Sequence, residues 1–412
     1  MPQINPDRLL ADLKHLRTFG AQGNGVVRPS FSAVDMASRE WLRGRMAEAG
    51  LEAQIDGVGT VFGRSPKAGK ALLIGSHSDT QPRGGWLDGA MGVIYALEIA
   101  RALDEASETH DFAVDIGSWM DEEGTYLGFL GCRSFCGFQD PALIETATNG
   151  AGERLTDAMR AAGVEGRPLA RMEPERYLGY LEAHIEQGPH LEATGNRIGV
   201  VTAIVGIRTM KIRFHGMQNH AGTTPMPLRK DAGVALVSLA NRIHQEFPAI
   251  VGERTVWTIG QITLDPGANS IIPGRAEMVL QFRDPEAARM DAMEAKVHEL
   301  AADADAAGPV KVEAATQGDN VEPVAMDEAL LRHIDAAADQ HAPGKWMRMP
   351  SGAGHDAQVF ALCMPSAMLF VPSINGVSHD FAEDTAEADI VLGCQVLATA
   401  AGSILREAAA AR

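Results

Sequence analysis

The chain is short of several things, and each shortage narrows its role. It has four cysteines in 412 residues, too few for a disulfide framework. Cys132 and Cys136 stand C-x3-C with no second such pair, which argues against a structural zinc site. All four thiols are expected to be reduced, in a cytoplasmic protein. Basic residues are in deficit. Against 54 Asp and Glu there are 36 Lys and Arg, a formal charge of −18, the wrong sign for nucleic acid or an anionic membrane. No apolar run is read as reaching the ~20 residues that cross a bilayer. The opening MPQINPDRLLADLKHL has no apolar signal core and reads as an amphipathic helix. No internal repeat or low-complexity segment is seen. The GVGTVFG run at 57–63 has no helix after it, so it is not a dinucleotide loop.

What is present suits a two-domain globular chain, with 45% hydrophobic and 22% charged residues. Helices are expected over 6–18 and 33–49 and strands near 51–56 and 59–64. The stretch 72–92, LLIGSHSDTQPRGGWLDGAMG, reads as a buried strand, a polar tip, a glycine loop and a helix start. An open α/β sheet puts its chemistry at such a place. A second strand, 111–119, runs into Met120-Asp121-Glu122-Glu123-Gly124. A third, 177–187, carries His184 toward its end and Gln187 beyond it.

The texture changes near 208. A strand, the polar turn QNHAGTTPM, a helix over 229–247, strands over 255–264 and 276–282, a helix over 285–306 and a last strand give β-α-β-β-α-β. That order predicts an inserted ferredoxin-like α+β domain. After about 320 come a helix (326–340), the SGAGHD turn, a strand (366–371), INGVSHDFAED and a closing helix (385–407). The expected organisation is an α/β catalytic domain over 1–208 and 321–412 with an insert over 209–320. Hinges are expected near 206–210 and 318–324.

A histidine taken singly is usually just solvated or hydrogen-bonded, so position carries the argument. His77, Asp88, Glu123, His184 and His379 all stand at strand ends or in glycine-bounded loops beyond them, and parallel topology gathers such tips at one sheet edge. Imidazoles and carboxylates together are the ligand set of a hydrolytic zinc site. Five ligands exceed the need of one tetrahedral ion. With one carboxylate shared they suit two, and Asp88, short and placed at a helix start, is the natural bridge. Glu122 and Glu123 are neighbours on an extended strand end and point opposite ways, so one can bind metal while the other acts as general base.

These motifs, GSHSDTQPRGGWLDG, DEEG, HIEQG, GMQNHAGTTPM, SGAGHDA and NGVSH in that order, resemble the amidase (hydantoinase/carbamoylase) branch of the M20 metallopeptidase family. The likeness runs from about residue 5 to 408. It implies a zinc-exopeptidase-like α/β catalytic domain with the insert as a lid and dimerisation domain. It implies two divalent ions, zinc first, with manganese, cobalt or nickel also suited. His77, Asp88, Glu123, His184 and His379 then resemble the ligands and Glu122 the general base. His220 resembles a histidine that steadies the oxyanion across a homodimer interface. Gln187, Asn269, Ser270, Gly354 and His355 take substrate positions, and Arg283 holds the carboxylate of a small-molecule substrate. Asp79 is expected to orient the His77 imidazole through its carboxylate. Branch activities include hydrolysis of N-carbamoyl amino acids, β-ureidopropionate and allantoate. N-acyl amino acids or dipeptides are the alternative substrates, which a glutamate in place of His184 would have favoured. The chain departs from the pattern at Ser270, usually Asn; at Gln281, usually acidic; at Cys132 in the usual GSR; and at Trp86, a bulky residue expected to narrow the pocket.

Overall fold

Four apolar runs lie side by side and point the same way. In a computed structural model that describes residues 2–318 and 320–410, Ser366–Val371, Tyr177–Ile185, Ala71–His77 and Ala113–Trp119 are parallel neighbours in that order. Asp319, inside the second expected hinge, lies outside the described residues. Every residue of these strands except Leu178 is buried, so they read as near-continuous apolar runs without a polar face. Val61–Arg64 and Glu52–Ile55 extend the sheet antiparallel on one side, and Ile198–Ile204 on the other. Ile198–Ile204 and Trp346–Ser351 have no counterpart among the expected strands. The first is largely buried on both faces and lacks the alternation that marks a strand in sequence.

The helix Ala90–Glu105 is buried nearly all round. It packs on the Ala71–His77 and Tyr177–Ile185 strands and beneath the helices Pro6–Thr18 and Glu387–Ala410. By length and composition alone the helix Glu387–Ala410 could cross a membrane, although its uncharged run, Ile390–Leu405, is shorter than the ~20 residues expected of a span. Its small apolar residues serve the core instead: 67% of its most apolar stretch is buried within the fold.

The chain forms two compact units. One comprises the residues up to Thr202, Met326–Met349 and those from Ala353 on; the other comprises Ala203–Ala325 with Pro350–Gly352. These limits lie outside the 209–320 insert expected from texture. The reason is pairing: Ala203 and Ile204 ladder with Ala325 and Val324, and Ile207 with Val321. The inserted unit is a four-stranded antiparallel sheet in the order Val256–Asp265, Arg275–Asp284, Gly206–His215, Lys311–Thr316. Read in chain order this is 2-3-1-4, the ferredoxin-like arrangement. The helices Ala232–Glu246 and Ala287–Ala307 close its core through Leu236, Leu239, Ile243, Met293, Val297 and Leu300.

One close approach sets the geometry of the main sheet. Gly75 pairs with Gly117 between the parallel strands, and a Cβ on Gly75 would stand 2.3 Å from the Gly117 carbonyl oxygen. Gly75→Ala should therefore force apart the strands leading to His77 and Glu122, at a cost of about 1–3 kcal/mol. A clear drop in thermal midpoint is the expected outcome, and an unchanged midpoint would show that the sheet yields without cost.

Candidate metal centre

The four parallel strands deliver their polar residues at one edge, their carboxyl ends, as the strand order requires. His77 ends its strand, His184 stands one residue before the end of its own, and Glu122 and Glu123 follow Trp119. His379 comes from the loop after Val371. Asp88 arrives from the loop before the Ala90–Glu105 helix.

Asp88 is the meeting point. Its Oδ1 lies 3.0 Å from His184 Nε2 and 3.5 Å from His77 Nε2; its Oδ2 lies 3.2 Å from His379 Nε2. Glu123 Oε2 is 3.8 Å from the same His379 nitrogen, and Glu122 Oε2 is 3.6 Å from His77 Nε2. Two sets of donor atoms are close enough to hold an ion: His77, Asp88 and His184, and Asp88, Glu123 and His379. Asp88 belongs to both.

The donor chemistry fits divalent cations. His77 Nδ1 lies 3.1 Å from the Asp79 carbonyl oxygen and His184 Nδ1 2.9 Å from that of Ile185. A proton on each Nδ1 leaves each Nε2 as an acceptor near Asp88, the usual arrangement of a ligating histidine; the Gly89 N–H donates to the Nε2 of His184 at 3.0 Å. The electrostatics fit as well. Burial, with Asp88 adding, pushes the Glu123 carboxyl up to about 7. The hydrogen bond with Asp88 lifts His379 to about 9. Burial, opposed by His77, drives Glu122 well above the carboxylate range. Crowded, desolvated anions of this kind are the setting that a cation relieves.

The remaining expected residues divide by unit. Gln187 joins the cluster, its Nε2 donating to Asp88 Oδ2 at 3.0 Å and lying 3.2 Å from His379 Nε2. Its Oε1 is buried without a partner among the described residues. The His355 ring packs 4.6 Å from that of His184, and burial holds it well below its usual range, hence neutral. Gly354 precedes it, beside Phe129 and Gln358. On the inserted unit, His220 pairs with Ile271, and Ala221 N–H donates to the Ser270 carbonyl, so His220, Asn269 and Ser270 form one exposed corner. His220 Nδ1 accepts from Gly222 N–H at 3.0 Å and Thr223 N–H at 3.2 Å, leaving Nε2–H to point outward as a donor. Arg283 is not in that corner. Arg275 pairs with His215 at the corner's end of the sheet, while Arg283 pairs with Ile207 at the other end, about 26 Å along the strand.

Three expectations change. The Asp79 carboxylate does not orient His77: its nearer oxygen is 3.9 Å from Nδ1, and the main-chain carbonyl takes that place. The carboxylate is committed to Arg39 (3.4 Å) and to the Glu123 N–H (3.3 Å), so it ties two strand ends together. Trp86 is no pocket-narrowing wall. It is buried, donates to Asp384 Oδ1 at 3.3 Å and lies under Arg17. Glu122 and Glu123 part not on an extended strand but after Asp121, whose left-handed φ of 59° turns the chain.

The sequence reading missed Glu383. This buried carboxylate accepts from Leu87 N–H (3.2 Å), Asp88 N–H (3.0 Å) and Ser378 Oγ–H (2.9 Å), joining both ligand loops. Its one sequence signal was its place four residues after His379. Buried Arg28 and Arg39 were missed too: Arg28 donates to the Ser78 carbonyl and Arg39 to Asp35 as well as Asp79.

A peptidase family M20/M25/M40 model matches residues 73–403. The chain belongs to this family and is a hydrolase. It is similar to an N-carbamoyl-L-amino acid amidohydrolase of Geobacillus stearothermophilus, 33% identical over 96% of this chain and 97% of the relative. It is likewise similar to an allantoate amidohydrolase of Escherichia coli, at 32% over 94% and 95%. A crystal structure of an amidase of the hydantoinase/carbamoylase family from Burkholderia phymatum superposes over 100% of both chains with a TM-score of 0.94 and 55% identity.

Glu383 supports a direct test. Glu383→Ala strands two buried N–H groups beside Asp88 and should weaken divalent-metal affinity about 10–100-fold, read by chelator competition. Unchanged affinity would show that the Asp88 loop is set without it.

Proposed function

We propose that the chain is a dinuclear metal-dependent amidohydrolase of the cytoplasm that cleaves the carbamoyl C–N bond of N-carbamoyl amino acids or related ureido acids. The observation that carries this reading is the double membership of Asp88 in two ligand sets. His77 and His184 would complete one set and Glu123 and His379 the other, with zinc the ion best suited to them. Divalent ions there would supply Lewis acidity toward a carbonyl oxygen and make a water acidic near neutral pH.

The chain's own groups do the rest. Glu122, its carboxyl pushed above the usual carboxylate range by burial, accepts a proton from the attacking water and passes it to the departing nitrogen. Hydrolysis of R–NH–CO–NH2 releases ammonia and the carbamate, which then loses carbon dioxide to leave the amine. Gln187 offers its buried Oε1, without a partner among the described residues, to a substrate N–H. Arg283 recognises a carboxylate. Its hydrogen-bond acceptors among the described residues are neutral, Gln281 Oε1 (3.1 Å) and the Gly352 carbonyl (3.2 Å), with the glutamine standing in place of the family's usual acid.

His220 supplies Nε2–H to the oxyanion, with Asn269 and Ser270 beside it. A small ureido acid cannot touch Arg283 and His220 of one chain at once, because a strand's length separates them. His220 of the partner subunit is therefore the one used, and the active form is a homodimer joined through the inserted units. The edge strand Val256–Asp265 suits that contact: it pairs on one side only and exposes Val256 (58%), Ile262 (55%) and Leu264 (41%).

Three outcomes are expected. The protein should release ammonia from members of a panel of carbamoyl and ureido acids and little amine from the matching acyl compounds; no ammonia from any member would end this reading. Glu122→Gln should keep its metal yet lose at least about 10²–10⁴ in kcat. His220→Ala and Arg283→Ala chains, each nearly inactive, should recover about a quarter of the wild-type rate when mixed, since half the dimers then hold one intact site. No recovery despite subunit exchange would place both residues at the same chain's site.

A further inference from the structure

Two of the four cysteines are brought together by the fold, and not the two that are close in sequence. Cys136 ends the helix Leu130–Cys136, and Cys363 follows the helix Asp356–Phe360; their sulfurs lie 3.2 Å apart across 227 residues of chain. Cys132, one turn before Cys136, is buried with its thiol on the Phe129 carbonyl, and Cys394 is buried in the Glu387–Ala410 helix. Cys136 and Cys363 are the half-exposed pair, within reach of a small oxidant. A disulfide needs the sulfurs at about 2.05 Å, so closure asks for a movement of only ~1.2 Å, which rotation of two side chains near the surface can supply.

We propose that Cys136 and Cys363 are a reversible disulfide site, free thiols in the reduced protein that close on exposure to a peroxide. The Cys363 thiolate attacks one peroxide oxygen. The O–O bond breaks, Cys363 becomes a sulfenic acid, and the other oxygen leaves as hydroxide and is protonated to water. Cys136 sulfur then attacks the Cys363 sulfur. The S–S bond forms, the S–O bond breaks, and the second hydroxide takes the Cys136 proton and leaves as water. Two thiols and one hydrogen peroxide thus give one disulfide and two waters. Either sulfur can open the sequence, because both are partly exposed and in contact, and exchanging their roles leaves the balance unchanged.

The bond would join two segments that serve the metal centre. The Leu130–Cys136 helix follows the loop that carries Glu122 and Glu123. The Asp356–Phe360 helix follows Gly354 and His355. The two helices already touch. A cross-link between them closes a long loop in the unfolded chain and should stabilise the catalytic unit against heat.

The test uses the whole protein, treated with hydrogen peroxide at a small molar excess and then with dithiothreitol. The thiol titre should fall from four to two per chain, from the four free cysteines of the reduced form. Unreduced peptide mapping should show one intramolecular link, Cys136 to Cys363. The thermal midpoint should rise by a few degrees, and dithiothreitol should reverse all three changes. In Cys136→Ser or Cys363→Ser the link and the rise should vanish. Four thiols surviving the treatment would overturn the proposal. So would a link to Cys132 or between chains, or oxidation of each cysteine alone to a sulfinic acid.

Discussion

One short carboxylate constrains most of the catalytic unit. Asp88 must present Oδ1 to His77 and His184 and Oδ2 to His379, so three segments far apart in sequence have to end within a few ångströms of one side chain. The parallel strands satisfy this by ending together. The loop is steadied by Glu383, which accepts from two of its main-chain N–H groups. Gly89 completes the fit: it adopts a φ of +62°, and a Cβ there would stand 2.4 Å from the His77 ring. Behind the ligands, buried Arg39 balances Asp35 and Asp79, so the anions nearest the metal edge do not simply accumulate.

On the proposed reading the two units divide the chemical labour. The candidate metal-binding and proton-transfer groups stand at strand ends and in the loops just beyond them. The proposed substrate contacts Arg283 and His220 lie on the inserted unit, a strand's length apart. The separation looks wasteful in a single chain. In the proposed homodimer the same surface would be presented twice by symmetry, and each copy would contribute what the other lacks.

The sequence made the candidate ligands legible because they stand where strong local patterns stop. An apolar run ending in GSH, another ending in DEEG and a third ending in HIEQG each mark a strand tip without tertiary information. The ferredoxin-like insert was legible for a similar reason: strands such as the one carrying TMKIRFHG have one covered and one more open face and alternate. Ile198–Ile204, covered on both faces, carried no such rhythm. What local pattern cannot show is a partner hundreds of residues away. The bond of Trp86 to Asp384, the hold of Glu383 on the Asp88 loop and the meeting of Cys136 with Cys363 are long-range facts. Asp79 shows a subtler limit. A carboxylate two residues from a ligating histidine invites a side-chain role, yet its own carbonyl takes that role and frees the carboxylate for Arg39.

The ladder that joins the ends of the inserted unit bears on how such a chain can arise. Ala203 and Ile204 pair with Ala325 and Val324, and Thr202 accepts from Met326 N–H at 2.9 Å, so more than a hundred residues leave and return through neighbouring rungs. A graft between two paired strands adds only slowly rising loop-closure entropy, since each doubling of its length costs about 0.6 kcal/mol. The host sheet meets the same hairpin geometry with or without the graft. A catalytic unit built around such a gap is an open socket: it can acquire, exchange or lose a recognition module while its metal-binding edge keeps its registration.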